Sequence, residues 1–211
     1  MIRVALLFLV LLTSFQGFSQ SRFTVNLSAG CDQNINKYYS PPNYLKFENN
    51  KDDYNLGVDV GYRLADKFRV RMEFQYGKMS YGHSYGASSE LTKSEMTLTT
   101  LAFNPRLDYR MVQFGQFDLY LTTGLRLEYV TDDEQESVRT DGEISTRNYI
   151  AMDYDDKLSG MIGGAILKYN FTERLGLTFS PEYTYFFDQL YSENDGNLQR
   201  FSTKVGIEWT F

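Results

Sequence analysis

The chain has 211 residues, including 17 Tyr, 16 Phe, 16 Gly and only 4 Pro, and a formal net charge of -6. That charge argues against a nucleic-acid partner, which needs a basic surface. The single cysteine, Cys31, leaves no internal disulfide and no thiolate zinc cluster; it is expected as a small apolar residue at a strand end.

The N-terminus reads as a signal peptide over residues 1–19. Arg3 supplies a positive start, residues 4–12 are apolar without a break, and Gly17-Phe18-Ser19 offers small residues at the positions a signal peptidase inspects. The apolar run is about half the ~20 residues of a spanning helix. No cysteine lies near the expected cut after Ser19, so a lipid anchor is not expected. The remainder, 20–211, fits one exported domain of about 190 residues. It holds no second long apolar stretch, so any membrane-embedded part has to be made of strands.

Strict alternation of apolar and polar residues, the mark of a half-buried strand, recurs eight times. Phe23, Val25, Leu27 and Ala29 share one face of the first segment. Leu56, Val58, Val60, Tyr62 and Leu64 do so in the second, and Phe68, Val70, Met72, Phe74 and Tyr76 in the third. The fourth presents Leu101, Phe103, Pro105, Leu107 and Tyr109, and the fifth Leu119, Leu121, Thr123, Leu125 and Leu127. Met161 to Phe171 is less clean. Leu175 to Phe187 and Phe201 to Phe211 complete the set.

The links alternate in length. Short ones fall at Ala65-Asp66-Lys67, Gln113 to Gln116 and Thr172-Glu173-Arg174; long polar ones at 32–53, 82–95, 131–157 and 188–199. Segregated loop length is the habit of an up-and-down membrane barrel with tight periplasmic turns. A soluble lipocalin-like carrier is the alternative, because alternation alone does not say which face is outside.

Three features favour the membrane. The polar face carries both signs, with Arg63, Arg69, Arg71, Arg106, Arg110, Arg126, Lys168 and Lys204 against Asp59, Glu73, Asp108, Glu128, Glu182 and Glu208. Such a set can neutralise itself inside a narrow lumen through charge-assisted hydrogen bonds. Aromatics gather near strand ends, where membrane girdles belong. Several strands also reach the ~9–11 residues of a tilted spanning strand. The expected fold is therefore an all-β, eight-stranded antiparallel up-and-down transmembrane barrel.

The stretch "TLAFNPRLDYRMVQFGQFDLYLTTGLRLEYV", with Pro105, Tyr120 and Gly124, resembles the central hairpin of the small outer-membrane barrel family typified by PorT. "GAILKYNFTERLGLTFSPEYTY" is similar to the next hairpin, and "VGIEWTF" to a C-terminal insertion signal. The resemblance implies an integral outer-membrane protein of a Gram-negative cell, but not the secretion role of the family's namesake. Its implied partners are outer-membrane lipids and lipopolysaccharide, with the barrel assembly machinery reading Phe211.

No catalytic, cofactor-binding or metal-binding residue is assigned. His83, the only histidine, lies beside Ser84, Ser88, Ser89 and Glu90, the residue types of a lipid A deacylase-like hydrolase. The His-x-Ser spacing of those enzymes is not met, since Tyr85 holds that position, and an exposed loop histidine is the simpler reading. The acidic runs 132–136 and 153–156 lack the Gly and distal Glu of a calcium loop and read as solvated loops. Asn26 and Asn170 open glycosylation sequons but sit on expected strands. About eight strands leave a lumen filled by side chains, so conduction is not expected. A structural, binding or adhesion role is left to the long loops, whose Tyr-rich "NKYYSPPNYLKF" suits protein contact.

Overall fold

The computed structural model describes residues 22–36, 45–48, 53–85, 91–139, 141–147, 156–188 and 198–211. The expected signal peptide, most of "NKYYSPPNYLKF", the acidic run at 153–155 and the Ser88, Ser89 and Glu90 neighbours of His83 lie outside the described residues.

The strands are β1 (Phe23–Asn36), β2 (Leu45–Glu48), β3 (Asp53–Arg63), β4 (Phe68–Tyr85), β5 (Leu91–Phe114), β6 (Phe117–Arg139), β7 (Ile144–Arg147), β8 (Lys157–Asn170), β9 (Leu175–Phe186) and β10 (Leu198–Thr210). Eight of them close on themselves in the order β4-β3-β1-β10-β9-β8-β6-β5, with β5 returning to β4. Every pairing is antiparallel. The seam runs from Thr24↔Thr210 to Asn36↔Leu198, and the Phe211 N–H donates to the Phe23 carbonyl at 2.9 Å beyond it. No strand edge of the barrel is left open, which is what lipid demands of a sheet.

Polarity is inverted relative to a soluble barrel, so the lipocalin-like alternative does not hold. Along β10, Phe201, Val205, Ile207 and Trp209 point outward at 37% to 50% exposure, while Lys204 and Glu208 are 3% and 1% exposed inside. The same alternation holds around the wall, with Leu56, Val60, Phe74, Leu125 and Phe179 outward. Phe23 with Tyr62, Phe68 with Tyr109, and Phe117 with Tyr169 meet as tilted pairs at the short-turn end, an aromatic girdle at one edge of the apolar band. No helix among the described residues is long and apolar enough to cross a membrane.

The short links are tight. The β5–β6 hairpin closes at Phe114↔Phe117, where Gly115 takes φ 57°, the left-handed conformation such turns require. At Thr172 the hydroxyl oxygen accepts the Leu175 N–H at 3.0 Å.

Three of the expected long loops are corrected, 32–53 among them because it holds the end of β1 and the whole of β2. β4, β5 and β6 run for 18, 24 and 23 residues, so most of 82–95 and the first part of 131–157 are strand. β2 adds to the far end of β4, and β7 to the far end of β6. Beyond the apolar band Ser80, Thr97 and Thr99 take the outward face while Met79 and Leu98 turn inward, which inverts the alternation a reader of the sequence relies on. A bulge intervenes too: Thr100 pairs with Val130 but Thr99 with Asp132, leaving Thr131 extra. This reverses parity, so Asp133 turns inward while Asp132, Glu134 and Glu136 are exposed. The 132–136 run is thus strand rather than loop. Cys31 is also corrected: it lies within β1, not at its end, on the exposed face.

Candidate functional site

The lumen is where the sequence has placed its chemistry. Side chains from facing walls meet there in three connected groups, each nearly closed to water.

Nearest the short-turn end, Lys168 Nζ and Arg69 Nη1 each donate to Glu208 at 2.6 Å. Arg69 Nε also donates to Asp108 at 2.9 Å, Arg71 Nε donates to Asp108 at 2.6 Å, and Arg71 Nη1 reaches Asp59 at 3.2 Å. Three cations and three carboxylates therefore balance. The Arg69 guanidinium also covers the Tyr120 ring at 4.8 Å.

In the middle, Arg106 donates to both Glu73 and Glu182, and Lys204 Nζ lies 2.6 Å from Glu73 and 2.8 Å from Glu182. This four-membered ring spans β4, β5, β9 and β10 and is also neutral. Asn104 Nδ2 donates to Glu73 at 2.8 Å and links the ring to the group above. Burying two ions costs several kcal/mol each, about what is recovered only when charges pair and hydrogen-bond fully. Charge-assisted bonds of this kind are the geometry that recovers it.

The third group joins Arg126 and Arg200 through Glu128, with Arg200 Nη1 at 2.8 Å, and Arg126 Nη1 also donates to Gln75 at 2.9 Å. Arg200 Nε donates to Asn34 at 2.8 Å, and its guanidinium lies 5.2 Å over the Phe186 ring. Above it the lumen turns apolar: Met79, Leu98, Leu158, Phe186 and Leu198 pack at 0% to 3% exposure. This cluster lies over the charged groups on the side of the long loops. The opposite mouth is open and polar, a cavity of about 510 Å³ lined by Arg63, Arg110, Asp118, Lys168, Asn170 and Glu173 among others.

Of the charged residues expected on the polar face, all except Arg63 and Arg110 are buried in the lumen; those two edge the open mouth. Asn26 and Asn170 carry lumen contacts, to Asp59 at 2.9 Å and Asp118 at 2.8 Å, which leaves neither sequon free for a glycan. His83 stands within β4, its backbone opposite Ser94 and Phe47, rather than in a loop. Its side chain lies outside the described residues. Among the described residues no group of three or more His, Cys, Asp or Glu is arranged to hold a metal.

Sequence reasoning missed Arg200, assigned to the edge of a loop, and the whole apolar cluster. The signal for Arg200 is present, since alternation continues back from Phe201 through Leu198-Gln199-Arg200. Met79, Leu98 and Leu158 give no such signal, because apolar residues on the inward face break the very pattern used to find the strand.

A comparison with family models matches residues 4–211 to the outer membrane protein beta-barrel domain. Among solved structures, the outer membrane protein OprG from Pseudomonas aeruginosa is 15% identical with a TM-score of 0.51, covering 93% of this chain and 98% of its own. The N-terminal β-barrel domain of OprF from the same organism is 15% identical with a TM-score of 0.48, covering 91% and 100%. Ail, the attachment invasion locus protein of Yersinia pestis, is 13% identical with a TM-score of 0.44, covering 90% and 99%. Curated proteins give no match. Likeness at this identity is one of fold, and fold alone does not carry function. A closed barrel with an apolar outside and a charged inside, matched along nearly its whole length, belongs to the outer membrane protein beta-barrel domain family.

Proposed function

We propose that this chain is a non-catalytic, non-conducting barrel of a Gram-negative outer membrane, exported by its N-terminal signal peptide, which presents a binding or adhesion surface at its long-loop end. The observation that carries this reading is the continuation of β4, β5 and β6 beyond the apolar band. With β2 and β7 added at the flanks, they form a sheet that stands out of the membrane. A sheet fixed to a barrel holds its outward side chains in place, so a partner loses little on ordering them. The paired charges and apolar cluster favour a stable post over a pore.

Within the family we place the chain nearest the PorT-like barrels, on Pro105, Tyr120 and Gly124, without the namesake's secretion role. Its surroundings are outer-membrane lipid and lipopolysaccharide. Its route into them is the assembly machinery engaging Phe211, the residue that ends the seam.

The test is cross-linking of the intact protein in its native membrane. A recurrent partner attached at 132–147 supports the reading; recovery of lipid adducts alone counts against it. Planar bilayers should show no conductance steps. Expression should leave lipid A unaltered in both wild type and His83→Ala, whereas altered lipid A in the wild type alone makes this a hydrolase.

A further inference from the structure

At the long-loop end of the lumen, Asp32 of β1 stands directly opposite Asp53 of β3. Both are buried, at 5% and 4% exposure. Like charges placed opposite each other in a sheet are destabilising, and in a dry interior the cost is larger. A crossed pair of amides holds the carboxylates in place. Asn34 Nδ2 donates to Asp53 at 2.6 Å and Asn55 Nδ2 donates to Asp32 at 2.6 Å. The Ser80 N–H adds two contacts of 3.0 Å to Asp53. These are neutral donors. Neither carboxylate makes an ion pair among the described residues, in contrast to Asp59, Asp108, Glu73, Glu128, Glu182 and Glu208.

Charge arithmetic points the same way. The two inner groups are neutral within themselves. At this end, among the described residues, Arg126 and Arg200 face Glu128, Asp32 and Asp53, an excess of one negative charge.

A separate observation concerns Asn55, which is 0% exposed. Its Nδ2 is engaged by Asp32, but its Oδ1 accepts from nothing. That oxygen belongs to the same planar amide, so it is held beside the carboxylates. Next to it β4 carries Gly77, where an added Cβ would stand 3.2 Å from the Tyr54 carbonyl oxygen and 3.6 Å from Asn55 Cβ.

We propose that Asp32, Asp53 and Asn55 form a binding site for one hard divalent cation of the calcium type. Two carboxylates and an amide oxygen are the ligand types such an ion takes. The ion offsets the repulsion of the two carboxylates and ties β1 to β3 beneath the projecting sheet. Because the three residues come from adjacent strands, binding favours the closed barrel over any state in which β1 and β3 are apart.

The experiment is calcium titration of the refolded, chelator-treated full barrel in detergent, read by calorimetry and by the thermal midpoint of heat-modifiable gel migration. One saturable site and a raised midpoint are expected. Asp53→Asn and Asn55→Ala should each weaken calcium at least tenfold. Asn55→Asp should tighten it, which keeps the test informative if the first variants fold poorly. The triple variant Asp132→Asn, Glu134→Gln, Glu136→Gln should bind as the wild type does. No saturable site, or binding lost with that surface triple and kept in Asp53→Asn, overturns the proposal. So does a midpoint that follows pH alone, which assigns the excess charge to a shared proton.

Discussion

Arg106 and Glu182 form an ion pair across the lumen, and their surroundings in the two strands are alike. Each follows a proline, Pro105 or Pro181, and each faces a glycine on the neighbouring strand, Gly124 or Gly164. An added Cβ at Gly124 would stand 2.3 Å from the Pro105 carbonyl oxygen and 3.0 Å from Arg106 Cγ; at Gly164 it would stand 2.5 Å from the Pro181 oxygen and 3.1 Å from Glu182 Cγ. The glycines leave the room in which both long side chains turn toward the axis.

Breaking this pair from one side should be costly. Arg106→Met leaves Glu73 and Glu182 with Lys204 alone, and loss of one partner of a buried pair costs about 3–5 kcal/mol. The double variant Arg106→Met, Glu182→Met leaves a balanced Glu73 and Lys204 and should lose less than the single one. Denaturant titration in lipid vesicles compares the two.

Neighbouring glycines should respond in opposite ways. Gly164→Ala forces the added carbon against the Pro181 backbone, an overpacking cost of about 1–3 kcal/mol. Gly163 faces outward with nothing within 4 Å, and Gly163→Ala should stay within about 0.5 kcal/mol of the wild type. The same vesicle titration reads both.

Outward positions should reject charge that inward ones accept. Leu125 is 51% exposed on the apolar band and precedes the buried Arg126. Leu125→Arg should cost about 2–4 kcal/mol if it lies at the bilayer midplane, less toward an edge. In a soluble barrel the same change on an exposed face costs almost nothing, so the measurement also tests the membrane assignment.

The apolar cluster and the charged ring are barriers in series. Phe186→Ala should cost about 3–5 kcal/mol by opening a cavity. Bilayer recordings should stay silent even so, because Glu73, Arg106, Glu182 and Lys204 still fill the section below. Conductance in this variant would make the cluster, not the ring, the seal.

Much of the barrel was legible because lipid imposes a sharp rule on every second residue. Phe201 to Trp209 could be assigned inward or outward residue by residue, as could Phe68 to Tyr76. The rule lapses outside the apolar band. There Thr97 and Thr99 flank the buried Leu98, and Ser80 follows the buried Met79, so the alternation is inverted and the length of β5 and β6 went unread. The bulge at Thr131 was hidden too, since an extra residue leaves no mark of composition. Within the lumen, the inventory of charges was legible but their partners were not: Arg69 meets Glu208 across 139 positions of chain. Asp32 and Asp53 looked like loop ends because a carboxylate facing another carboxylate is not what a strand pattern suggests.

β10 gives one charged side chain to each group in the lumen: Arg200 to the outermost, Lys204 to the ring, Glu208 to the innermost. Neither the ring nor the group nearest the short turns is balanced until that strand is in place. A chain lacking it would have to hold Glu73, Glu182, Arg69 and Lys168 with charge uncancelled against a hydrocarbon solvent. Partly assembled forms are therefore confined to watery or protein-shielded surroundings, and entry into lipid is coupled to the arrival of a single segment. The electrostatics of the interior act as a checkpoint on completion, admitting the barrel to the membrane only when its circle is whole.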